Sequence, residues 1–167
     1  MAKLTRDLYI PCLDTSAAKD LSGFVPIDKS TIFELAWNPE TETYTYICNR
    51  SNSTEVTSFA LSMEQEIVLD NTNPMYAFMY PLCFSMPTGS DAVVPFLLVD
   101  PDMTTGQPTR GKLWRQATIQ PSTLNTVDGK LAFTINLNGD MEEGTVAITT
   151  DQQGRKQFTF TPDSDGE

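Results

Sequence analysis

The sequence predicts a mainly β fold, a β-sandwich or barrel of about eight strands with one short flanking α-helix. Three observations carry that expectation. Apolar residues recur at every second position in short runs from Thr31 to Pro162, turn-forming residues separate the runs, and one segment has the cap and composition of a helix. At 167 residues the chain is one domain's length, enough to bury a core without disulfides or metals. A single domain over 1–167 is expected, with an extended N-terminal arm over 1–24 and a disordered acidic tail over 163–167.

The elements follow in order. Residues 1–24 hold Leu8, Tyr9, Ile10 and Leu13 without a sustained period, and Pro11 punctuates them, which reads as an extended arm or a short edge strand. From Thr31, Phe33, Leu35 and Trp37 alternate with Ile32, Glu34 and Ala36; "NPETET" supplies turn residues, and Tyr44, Tyr46 and Cys48 alternate with Thr43, Thr45 and Ile47. This predicts a hairpin. The polar loop "NRSNSTE" leads into "VTSFALSMEQEIVLD", Val56 to Asp70. There Phe59, Leu61, Met63, Gln65, Ile67 and Leu69 share one face, and Ser58, Ala60, Ser62, Glu64, Glu66, Val68 and Asp70 the other. Strands usually run about 5–6 residues, so alternation this long predicts a strand reaching beyond its own domain.

Asn73 can cap a helix with Pro74 at its first position, and Pro81 limits it to two turns carrying Tyr76, Phe78, Met79 and Tyr80. Strands resume at "DAVVPFLLVD", where Pro95 marks an edge or bulge, and at "KLWRQATIQP". In "GKLAFTINLNGDMEEGTVAI", Leu131, Phe133, Ile135 and Leu137 form one face. Asn138-Gly139-Asp140 tolerates positive φ, and Thr145 to Ile148 resumes the pattern, which predicts a second hairpin. "RKQFTFTP" supplies a closing strand with Phe158 and Phe160.

Composition narrows the chemistry. A net charge of −11 and a pI near 4.3 repel nucleic acid and anionic membrane alike. The absence of histidine excludes Ser-His-Asp and Cys-His catalysis and histidine-ligated zinc. Cys12, Cys48 and Cys83 are odd in number and widely spaced, which reads as reduced thiols used in packing. The N-terminus "MAKLTRDLYIP" lacks the apolar run of a signal peptide or membrane span, so folding in the cytosol is expected; the sequons at Asn49 and Asn52 are then chance matches. "GQPTRGKL" has the G-x-x-x-x-G-K spacing of a phosphate loop, but Leu113 replaces the hydroxyl that would ligate Mg²⁺ and Pro108 removes a loop N–H. Asp100 and Asp102 do not meet calcium-loop spacing and read as solvated acids. Trp37, Tyr44, Tyr46, Tyr76, Tyr80 and Trp114 are expected mainly in the core, with an interface as their second use. No cofactor, metal or catalytic residue is expected.

The order of elements resembles the major tail protein, or tail tube protein, of long-tailed bacteriophages. The resemblance extends from about Thr31 to Pro162, through the alternating "SFALSMEQEIVLD" leading to "NPMYAFMYPL" and the later "LWRQATIQPSTLNTVDGKLAFTINLNGDMEEGTVAI". It implies a β-sandwich subunit that forms homo-hexameric rings stacked into a tube in the virion tail, assembled in the host cytoplasm. DNA would pass through the lumen without specific binding, and the partners would be other tail proteins such as the tape measure, initiator and terminator. In that reading Glu64, Glu66 and Asp70 are candidate lumen-facing residues. Leu4, Leu8, Tyr9, Ile10, Asn52 and Glu55 are candidate contacts between subunits or rings. A carbohydrate-binding sandwich module, a carboxylate enzyme, and a tail terminator or head decoration protein are the alternatives.

Overall fold

The computed structural model describes residues 3–48 and 50–164. In chain order it contains β1 (Ile10–Asp14), β2 (Phe24–Pro26), β3 (Glu34–Ala36), β4 (Pro39–Tyr44), β5 (Ser53–Phe59), β6 (Ser62–Val68) and the helix α1 (Pro74–Phe84). β7 (Phe96–Asp100), β8 (Arg110–Trp114), β9 (Thr118–Asn125), β10 (Lys130–Asn136), β11 (Met141–Thr150) and β12 (Lys156–Pro162) follow. A six-stranded sheet runs β12-β11-β8-β7-β1-β2, a four-stranded sheet β3-β6-β10-β9, and β4 and β5 pair alone. The fold is mainly β with one α-helix, as the sequence predicts.

The six-stranded sheet curls until its ends, β12 and β2, come together in a nearly closed barrel. Glycine allows the curl. Gly111 and Gly144 oppose each other across β8 and β11. A Cβ on Gly144 would lie 2.2 Å from the Thr161 carbonyl oxygen, and one on Gly111 would lie 2.5 Å from a Val146 methyl. The enclosed core holds Cys12, Phe24, Leu97, Val99, Leu113 and Phe158. The other face of the sheet, through Leu13, Phe96, Leu98 and Trp114, packs on Met63, Ile67, Phe133 and Ile135 of the four-stranded sheet and on Met75 and Met79 of α1.

Several elements differ from expectation for physical reasons. β1 lies between β7 and β2, with Cys12 and Leu13 fully buried, so the arm expected over 1–24 is part of the sheet from Ile10 onward. Its sequence shows no alternation because both faces are covered. β10 buries Leu131, Phe133 and Ile135 as predicted, but pairs with β6 and β9, while β11 pairs with β8 and β12. The hairpin expected there is a corner between two sheets, turned at Gly139 with φ 76°. "KLWRQATIQP" likewise divides into β8 and β9 on different sheets. Pro95 precedes β7, an interior strand, and its carbonyl accepts the Asp14 N–H at 3.0 Å. Asp163, expected to begin a disordered tail, is bound by Arg110 at 2.6 Å; the last three residues of that tail, 165–167, lie outside the described residues.

α1 starts as expected: Asn73 accepts the Met75 N–H at 3.0 Å through its side chain, with Pro74 in the first turn. It continues through Pro81 to Phe84, beyond the two turns predicted. Its end closes with the Ser85 N–H donating to the Pro81 carbonyl at 3.0 Å.

Candidate assembly interface

β3 and β6 pair at the edge of the four-stranded sheet, and the same two chain segments continue outward as β4 and β5. Asn38, at φ 44°, marks the break on one side and Ala60-Leu61 on the other. The Asn38 side chain donates to the Ala60 carbonyl at 2.9 Å and to Ser62 Oγ at 3.0 Å, holding the two segments together across the break. The alternation through Val56 to Asp70 is thus two strands, one in the sheet and one projecting from it. "NPETET", expected as a turn, forms most of β4, and the turn falls after Tyr44. Pro39 is tolerated because β4 has a partner on one side alone.

The projecting hairpin is exposed along nearly its whole length and has two unlike faces. Pairing sets Pro39 against Phe59, Thr41 against Val56 and Thr43 against Thr54 on one face, with a bulge between Glu40 and Thr41. That face combines threonines with the apolar Pro39, Val56 and Phe59, the last two more than half exposed. The other face carries Glu40 and places Glu42 directly opposite Glu55. Like charges opposed across a ladder repel, and among the described residues none of the three carboxylates has an ion-pair partner. Glu42 accepts a hydrogen bond from the Tyr44 hydroxyl, and Glu40 one from Ser58. Trp37 at the base and Tyr46 and Ile47 beyond β4 are also exposed.

A groove of about 800 Å³ lies at the seam where β2 meets β12. Tyr9, Ile10, Val25, Ile32, Phe33 and Phe158 give it an apolar lining; Arg6, Arg155 and Lys156 are its cations, and Asp7 and Asp28 its acids. Arg6 donates to the Ser30 carbonyl at 3.3 Å, and Arg155 lies 3.7 Å from Asp151. Lys156 has no ion pair among the described residues.

The sequence-predicted residues fall in three places. Tyr9 and Ile10 line the groove, while Leu4 is exposed and Leu8 half-buried just before them. Asn52 and Glu55 lie on the hairpin, where Asn52 accepts the Thr45 hydroxyl at 2.9 Å. Glu64 and Glu66 lie on the outer face of the four-stranded sheet, away from the buried Met63, Gln65 and Ile67. Glu64 faces Glu34 across the β3 pairing. Glu66 is bound by Lys130 at 2.7 Å and by the Thr31 hydroxyl, which hold its carboxyl below the ordinary range. Asp70, expected on the same face, lies past the end of β6, where Lys29 and then Thr72 hold its carboxyl well below the ordinary range.

The remaining motifs carry structure. Gly111 and Lys112 of the apparent phosphate loop are in β8, with Lys112 bound to Asp100 at 2.6 Å. Asp102 accepts the Thr104 and Thr105 N–H groups, closing a turn. Trp114 is in the core, but Trp37, Tyr46 and Tyr80 are exposed, contrary to the expectation of core packing. Cys12 is buried and Cys83 partly so, whereas Cys48 is exposed. Asn49 lies outside the described residues. Among the described residues no cluster of His, Cys, Asp or Glu is placed to hold a metal, and no helix is long and apolar enough to cross a membrane. The hairpin's two faces were not read from the sequence, although the Glu42 and Glu55 spacing about the turn was available.

No protein-family model and no curated protein matches this chain. Among solved structures, it is similar to a chain in the cryo-EM structure of the anti-feeding prophage baseplate, 6-fold symmetrised. That likeness has 12% identity and a TM-score of 0.44, over 81% of this chain and 91% of that one. A type six secretion system protein is similar at 8% identity and a TM-score of 0.37, over 89% of each chain. Likenesses this loose do not bear on what the protein does.

Proposed function

We propose that this chain is a structural virion protein, a subunit that closes into hexameric rings stacked as the tail tube through which a phage genome leaves. The observation that carries the reading is the β4–β5 hairpin: an exposed ribbon with the apolar Pro39, Val56 and Phe59 on one face and uncompensated carboxylates on the other. Among the described residues neither face is covered by the rest of its own chain. A contact between such an arm and a different surface of another copy is heterologous, and heterologous contacts generate closed rings or open helical filaments. A ring number of six is what the sequence resemblance implies.

In this reading the outer face of the four-stranded sheet, with Glu34, Glu64 and Glu66, lines the lumen. Negative charge there repels DNA phosphates and keeps the genome from adhering. Lys130 and Lys29 offset Glu66 and Asp70, so Glu34 and Glu64 contribute most of the repulsion. Negative-stain electron microscopy of the purified protein over a concentration series tests the function. Hollow tubes built of six-fold rings support it; compact monomers at every concentration contradict it.

A further inference from the structure

The hairpin and the seam groove are two surfaces of this fold that its own packing leaves unsatisfied, and their chemistry is complementary. The hairpin offers Val56, Phe59 and Pro39 on one face and Glu40, Glu42 and Glu55 on the other. The groove offers a half-buried apolar lining through Ile10, Val25, Ile32 and Phe33, and cations at Arg6, Arg155 and Lys156. In a chain of net charge −11, a cavity whose cations outnumber its acids stands out. The groove is also bounded by β2 and β12, the two end strands of the six-stranded sheet, each paired with a strand on one side among the described residues.

We propose that the groove at the β2/β12 seam receives the β4–β5 hairpin of a second copy of this chain. The apolar face seats on the Val25 and Phe33 side, and the carboxylates meet Arg6 and Lys156. Removing Val56 and Phe59 from water supplies the driving force, and the cations relieve the Glu42–Glu55 repulsion, which makes the bound hairpin better satisfied than the free one. Each copy gives one hairpin and accepts another, so the contact propagates. This inference rests on the reading of the chain as a self-assembling subunit.

Charge reversal tests it on the full-length chain. Glu40→Lys with Glu42→Lys alters the hairpin, Arg6→Glu with Lys156→Glu alters the groove, and a third variant carries all four. The reversed side chains are on the surface, and Glu42→Lys replaces the repulsion with Glu55 by an attraction in the monomer, so melting should confirm intact folds. Like charges brought together across an interface are strongly unfavourable. Each double variant should therefore need about tenfold or more protein to assemble than wild type, with the fourfold variant regaining most of the loss. Double variants that assemble as wild type, or a fourfold variant no better than either, overturn the groove assignment while the tube reading stands. A wild type that never assembles sinks both.

Discussion

Gln65 is enclosed in the core between Met63 and Ile67, and among the described residues neither its Nε2 nor its Oε1 has a hydrogen-bond partner. An unpaired buried amide costs more than it returns. Gln65→Met, close in volume, should therefore raise stability by about 1–3 kcal/mol, read as a higher midpoint in urea with an unchanged slope. Its burial was legible from the alternation, since it falls in step with Met63 and Ile67; its lack of a partner depends on neighbours that periodicity does not reveal. Asp70 shows the reverse. Lys29 holds its carboxyl low, so the pair's stabilisation is complete above the ordinary carboxylate range and lost as pH falls through the lowered folded value. Lys29→Ala should move the Asp70 carboxyl titration up toward the ordinary value by NMR. An unmoved titration would mean that Thr72 alone sets it.

The glycine pair of β8 and β11 determines how tightly the six-stranded sheet curls. Gly144→Ala places a methyl against the Thr161 carbonyl and the Phe160 ring, and overpacking of this kind costs about 1–3 kcal/mol or more. Thermal melting should show the loss, accompanied by changed near-ultraviolet dichroism as Phe160 moves. A melting point equal to wild type would show that the curl does not depend on this contact. Alternation in the sequence identified the buried faces of β6 and β10 correctly, and the Asn73-Pro74 pair the start of the helix. It could not identify partners. A strand of period two looks the same whether its successor pairs beside it or crosses to another sheet, and this is why the corner at Gly139 read as a hairpin. The break at Ala60-Leu61 was invisible because the alternation continues through it, and β1 read as an arm or an edge strand rather than an interior one because a strand covered on both faces has no polar side to alternate with.

At the level of assembly, the sequence indicated segments rather than surfaces. It selected Tyr9 and Ile10 on one side and Asn52 and Glu55 on the other, which the fold distributes between the groove and the hairpin. That these are separate surfaces with complementary chemistry required the three-dimensional structure, because β2 and β12 are far apart in the chain. In the proposed function the hairpin makes the subunit assemble. Because the Ala60 N–H already donates to the Asn38 carbonyl, Pro39–Phe59 can be replaced by a two-residue turn without disturbing the β3–β6 pairing. The first measurement is sedimentation velocity of wild type and this hairpin-less chain across a matched concentration range. Wild type should form large assemblies, and the chain without the hairpin should stay a folded monomer at every concentration; equal assembly by the two would mean that the hairpin is not the assembling element.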